Sequence, residues 1–121
     1  MSSSILICDD SNLARKQVLR SLPDILSADV QLATNGQEAL ELLTSQNFDI
    51  LFLDLTMPIL DGLGVLQGIK ENNTNIAVFV ISADIQPEMQ SKVLSLGAKA
   101  FLKKPVKKEV LIEQLQQHGF L

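Results

Sequence analysis

The chain has 121 residues, the length of a single domain, and 46% of them are hydrophobic, enough for a core without staples. Fourteen acids against ten bases give a net charge of −4, which argues against nucleic acid as a direct ligand. No apolar run approaches the ~18 residues of a membrane helix, and Met1–Ser4 lacks the basic start of a signal peptide. A soluble, cytoplasmic chain with no membrane partner is therefore expected.

Short apolar runs alternate with amphipathic ones. "SILIC" (Ser4–Cys8) reads as a first strand, and its cysteine, alone in the chain, as a small buried side chain. A helix follows with Ala14, Val18 and Leu22 on one face, ended by Pro23 and Asp24. "VQLA" (Val30–Ala33) is the second strand. Asn35 and Glu38 then have the spacing of a capping box, opening a helix that turns Ala39, Leu42 and Leu43 inward.

"DILFL" (Asp49–Leu53) is the third strand. Asp61 can cap the next helix, which carries Leu63, Leu66 and Ile69 and frays into "ENNTN". "IAVFVI" (Ile76–Ile81) is the fourth strand, followed by a helix with Pro87 in its first turn, Met89, Val93 and Leu96 on its inner face, and Gly97 at its end. "AKAFL" (Ala98–Leu102) is the fifth strand. Pro105 precedes a last helix with Leu111 and Leu115, and His118 falls at its solvated end with no expected partner.

Five strand–helix pairs imply a parallel sheet covered on both faces, and three of the strands are nearly continuous apolar runs, as such burial demands. Right-handed crossovers leave few topologies. The expected fold is α/β, a doubly wound (βα)5 flavodoxin-like sheet of order 2-1-3-4-5, which binds ligands at the carboxyl ends of its strands.

Those ends carry the chemistry. The first strand is followed by Asp9-Asp10-Ser11, the third by Asp54, the fourth by Ser82-Ala83 and the fifth by Lys103-Lys104-Pro105, whereas the second, at the sheet edge, ends in Ala33-Thr34. Crowded carboxylates repel one another, and a hard divalent cation such as Mg²⁺ resolves the repulsion while leaving room for phosphate oxygens. A carboxylate nucleophile, a metal, a lysine and a hydroxyl are the parts of phosphoryl transfer to an acid. Pro58 and Gly62 then turn the chain away and keep the approach to Asp54 open.

"CDDS", "LDLTMPILDG", "VISAD" and "AFLKKP", at these separations, resemble the receiver domain of two-component response regulators over essentially the whole chain. The resemblance implies that Asp54 accepts a phosphoryl group from a histidine kinase. It implies that Asp10 binds Mg²⁺ directly, that Asp9 acts through water, and that the backbone carbonyl of Thr56 completes the shell. Ser82 matches the switch hydroxyl, Lys104 the lysine on the phosphoryl oxygen, and Lys104-Pro105 the bond that is cis in this family. Phe101 matches the aromatic rotamer switch, with Phe in place of the more familiar Tyr. Thr56 and Asp84 stand at the variable positions that tune phosphoryl lifetime; both can equally be rim residues, and Phe101 can equally be plain core.

On this resemblance residues 1–121 form one receiver domain with no output domain, of the single-domain chemotaxis type. Output would pass to a protein partner through the fourth helix, fifth strand and fifth helix, with a flagellar motor or phosphorelay as the setting and a phosphatase as a further partner. It would not be a turnover enzyme on external substrates. Three rivals are weighed against it. A hydrolase with an aspartyl-phosphate intermediate needs a second acid where this chain has Thr56. A degenerate receiver used only for binding needs the key positions emptied, and they are filled. A flavodoxin needs a hydroxyl- and glycine-rich phosphate loop where this chain has "DDSNLARK".

Overall fold

A computed structural model describes residues 3–24, 28–84 and 86–121; Met1 and Ser2, part of the signal-peptide reading, lie outside them. The elements run β1 (Ser3–Cys8), α1 (Asn12–Ser21), β2 (Ala28–Ala33), α2 (Gly36–Ser45), β3 (Ile50–Asp54), α3 (Gly62–Glu71), β4 (Ala77–Ser82), α4 (Pro87–Ser95), β5 (Ala100–Lys103) and α5 (Lys108–Gln117). The five strands form one parallel sheet in the order β2-β1-β3-β4-β5, as expected. Among the described residues no helix is long and apolar enough to cross a membrane.

Alternation along each strand divides the core into two layers. Leu6, Cys8, Leu51, Leu53, Val78 and Val80 face α2, α3 and α4, where Ala39, Leu43, Val65, Leu66, Ile69 and Val93 meet them. Ile5, Ile7, Ile50, Phe52, Phe79 and Ile81 face α1 and α5, meeting Val18, Leu111 and Leu115. The central strands β3 and β4 are buried along their whole length, which is why their sequences are apolar without interruption. Phe52 and Phe79 stack across the second layer with ring centroids 5.6 Å apart. His118 is not partnerless, as the sequence suggested: its ring meets Phe79 edge-on at 5.4 Å, because the turn after α5 folds back and brings Phe120 onto the same ring.

The caps match the sequence reading. Asn35 accepts from the Glu38 amide at 2.9 Å, and Glu38 reaches back to the Thr34 amide at 3.0 Å, one residue earlier than a capping box requires. Asp61 caps α3 through the Gly64 amide, Pro87 occupies the first turn of α4, and Gly97 ends the α4 segment at φ 106. The third and fifth strands start one to two residues later than the apolar runs suggested. Asp54 is thereby the last residue of β3, in register with Ile81 of β4, instead of the first residue beyond the strand.

Candidate functional site

Four of the candidate side chains hang on the carboxyl ends of strands. Asp54 ends β3, Asp9 follows β1 and continues its ladder through the Ala33 carbonyl, Ser82 ends β4, and Lys104 follows β5 with its amide on the Ser82 carbonyl. Backbone pairing thus fixes these four positions before any side chain makes contact. Asp10 and Ser11 lie in the turn into α1, where the Ser11 hydroxyl caps the helix through the Ala14 amide.

The three acids converge. Carboxylate oxygens of Asp9, Asp10 and Asp54 lie within 4.8 Å of one another; Asp9 and Asp54 are buried and Asp10 is open to solvent. Lys104 Nζ sits 2.8 Å from Asp9 Oδ2 and 3.1 Å from Asp54 Oδ1. Asp9 also takes the Ser11 amide on Oδ1 at 2.9 Å, and the Thr56 amide donates to Asp54. Three carboxylates against one ammonium leave two uncompensated negative charges, and the donors are all hard oxygens. That set fits a divalent cation of the magnesium type.

Burial holds the Asp54 carboxyl above its usual range, and the neighbouring Asp9 charge pushes it the same way, while Lys104 and the Thr56 amide pull against them. Burial alone would lower the Lys104 ammonium, but hydrogen bonds and charge from Asp9 and Asp54 outweigh it and raise its pKa. Asp54 is thus a recessed, proton-hungry carboxylate whose charge is made tolerable by a neighbouring cation.

The remaining candidates are spread around this centre. Lys104, and not Lys103, reaches the acids, because Lys103 is still on β5 in register with Ser82 and points to solvent. The Lys104–Pro105 bond is cis. Ser82 is buried, and its Oγ accepts from the Asp84 amide at 3.1 Å; Asp84 in turn accepts from the Gln86 amide at the entry to α4. Thr56 is exposed at the rim, and Phe101 is half-buried against the α2–α4 layer. Cys8 is buried beneath the acids with Sγ 3.4 Å from both the Asn35 carbonyl oxygen and Met57 Sδ. Burial, then the charges of Asp9 and Asp54, push its thiol up to about 12, so it stays protonated and inert at neutral pH.

Sequence reasoning missed Arg15. Its Nη1 donates to the Asp9 carbonyl at 2.6 Å and its Nη2 to Asn12 Oδ1 at 3.3 Å, tying α1 to the turn that carries the acids. One signal was available: α1 has no acid in its first turn, and Arg15 and Lys16 follow closely, against the preference of a helix N-terminus for negative charge. Cations placed there answer to the adjacent acids.

Comparison with known proteins agrees with this architecture. A profile of the response regulator receiver domain matches residues 5–116. The sensor protein EvgS of Escherichia coli K12 is 35% identical over 114 residues, covering 94% of this chain and 9% of EvgS. The response regulator MprA of Mycobacterium ulcerans is 34% identical over 116 residues, covering 96% of this chain and 50% of MprA, so the chain spans half or less of these relatives. Among solved structures, the CheX–CheY–BeF3–Mg²⁺ complex of Borrelia burgdorferi contains a chain with a TM-score of 0.89 at 30% identity, covering 96% of this chain and 88% of that one. The receiver domain of the putative response regulator NarL from Mycobacterium tuberculosis gives 0.87 at 29% identity, covering 97% and 95%. With its doubly wound sheet and its acids gathered at the strand ends, this chain belongs to the response regulator receiver domain family.

Proposed function

We propose that Asp54 accepts a phosphoryl group from the phosphohistidine of a histidine kinase, and that the resulting charge switches a surface read by a partner protein. One carboxylate oxygen of Asp54 bonds to phosphorus as the phosphorus–nitrogen bond breaks; its electron pair leaves with the imidazole, which takes a proton from solvent. Attack of water on the same phosphorus later restores the carboxylate and releases phosphate. The observation that carries this reading is the convergence of Asp9, Asp10, Asp54 and Lys104 in one recess.

Asp9, Asp10, Asp54 and the Thr56 carbonyl would hold Mg²⁺, which when bound neutralises charge on the phosphoryl oxygens. Lys104 already rests against Asp54 and is the cation nearest the incoming oxygens. Ser82 would release the Asp84 amide and donate its hydroxyl to the phosphoryl group, drawing the β4–α4 connection inward. Phe101 would follow as a packed rotamer, and the α4, β5 and α5 surface would change with it. Thr56 and Asp84 at the rim would tune phosphoryl lifetime by controlling water. A phosphatase would act on the same bond, and chemotaxis or a phosphorelay is the setting this reading favours.

The test is transfer from a purified, phosphorylated histidine kinase core. Label should move to this chain in Mg²⁺, fail in EDTA, and fail for Asp54→Asn. Transfer to Asp54→Asn at the rate of the unaltered chain would overturn the assignment.

A further inference from the structure

Helix α1 has no acid in its first turn, and Arg15, at its fourth position, sets a cation near the positive end of the helix dipole. The side chain is half-buried, and its Nε is buried with no hydrogen-bond acceptor among the described residues. Both features count against stability, since a buried donor left unmet keeps its desolvation cost. What Arg15 gains is a charge-assisted bond of 2.6 Å from Nη1 to the Asp9 carbonyl, with Nη2 on Asn12 Oδ1 at 3.3 Å. One planar fork thereby spans two acceptors, which the single ammonium of a lysine does not do.

That carbonyl belongs to the peptide joining Asp9 to Asp10, so fixing it fixes the plane from which Asp10 leaves. Every polar group of Asp9 is held: its N–H by the Ala33 carbonyl, its C=O by Arg15, Oδ1 by the Ser11 amide and Oδ2 by Lys104. Asp10 is exposed, and among the described residues its side chain makes no hydrogen bond or ion pair. Yet one of its carboxylate oxygens lies within 4.8 Å of oxygens of Asp9 and Asp54. We propose that Arg15 is a positioning residue for the cation site, holding the Asp9–Asp10 peptide so that the Asp10 carboxylate joins the other two. The inference deepens the Mg²⁺ reading above and rests on it. A rival role, that of a counter-charge to the acids, has the opposite sign. Burial first and the acids next raise the Cys8 thiol, whereas Arg15 lowers it, so the Arg15 charge is felt in the recess. A bare counter-charge repels a divalent cation, and its removal would tighten Mg²⁺ binding. Removal of a group that orients a ligand loosens it.

The experiment measures Mg²⁺ binding by calorimetry in the unaltered full chain and in Arg15→Met, Arg15→Lys and Lys16→Met, with urea unfolding of each in EDTA. Arg15→Met should bind Mg²⁺ about tenfold more weakly, the scale of losing a group that orients a metal ligand. Arg15→Lys keeps the charge without the fork; it is the milder change to the fold and should lose affinity in the same direction. Lys16 is an exposed neighbour with no ion pair among the described residues, so Lys16→Met should bind Mg²⁺ equally or slightly more tightly. Unchanged or tighter binding in either Arg15 variant, even with a loss of stability in urea, would overturn the inference, as would an equal loss of affinity in Lys16→Met. The unaltered chain separates the two readings. Its failure to take up Mg²⁺ would overturn the metal reading and this inference together, whereas uptake that Arg15→Met matches overturns the inference alone.

Discussion

The Lys104 ammonium bridges two buried acids, lying 2.8 Å from Asp9 Oδ2 and 3.1 Å from Asp54 Oδ1, and so acts as the resident counter-ion of the recess. Removing one member of such a cluster leaves charge that is neither paired nor solvated, and the usual loss is about 3 kcal/mol. Lys104→Met should therefore lose stability of that order at neutral pH in the presence of a chelator, measured by urea unfolding. Added Mg²⁺ should restore part of it by binding the native state alone. A loss below about 0.5 kcal/mol would show that the bridge is only a surface contact.

Asp54 gives the opposite sign. Its folded carboxyl titrates above the usual value of 3.8, through burial first and the Asp9 charge second. Its ionisation therefore opposes folding: the opposition is absent below that usual value and grows in as pH rises through the raised folded value. Asp54→Asn should be more stable than the unaltered chain at neutral pH without divalent cations, with the gap closing in acid. In Mg²⁺ the order should narrow or invert, because only the unaltered chain keeps all three carboxylates. Melting curves in EDTA and in Mg²⁺ across a pH series measure both effects.

Gly62 carries a geometric demand. A Cβ at this position would stand 2.4 Å from the Asp54 carbonyl oxygen, a backbone atom that cannot swing aside. Gly62→Ala should cost about 2 kcal/mol or more and slow phosphoryl acceptance by displacing the end of β3. Unchanged stability together with unchanged acceptance would mean that the turn relaxes freely.

Ile59 stores strain that is separable from chemistry. It is 80% exposed and sits at φ 70, in a tight turn closed by the Leu60 amide on the Pro58 carbonyl at 2.7 Å. Positive φ is unfavourable for a β-branched residue, by about 1–3 kcal/mol. Ile59→Gly should raise stability by about 1 kcal/mol, net of the added freedom of the unfolded chain. Lower stability in urea unfolding would show that Ile59 makes a compensating contact.

Strand order followed from five apolar runs and the handedness of crossovers, and strand ends pointed to Asp54 and Lys104 because parallel strands expose only their carboxyl ends to a shared ligand. The cap made by Asn35 and Glu38 was legible because capping needs fixed local spacing. Arg15 was not read, because its closest partner is the Asp9 backbone carbonyl, which no residue type announces; only the unusual cations in the first turns of α1 hinted at it. The sulfur contact between Cys8 and Met57 joins residues 49 apart in the chain, and His118 meets Phe79 across a similar gap; neither follows from local pattern. The hydroxyl of Ser82 was expected to wait for a phosphoryl group, and in this structure it holds the Asp84 amide. Which acceptor a hydroxyl uses depends on the turn around it.

Asp54 as the carrier of the phosphoryl group has a direct chemical test. Phosphorylated protein can be trapped with borohydride, which reduces an aspartyl phosphate to homoserine, and the converted residue located by fragment mass spectrometry. Conversion is expected at position 54, dependent on prior incubation with phosphodonor and Mg²⁺. Conversion at Asp9 or Asp10, or none in a sample shown to carry phosphate, would contradict it.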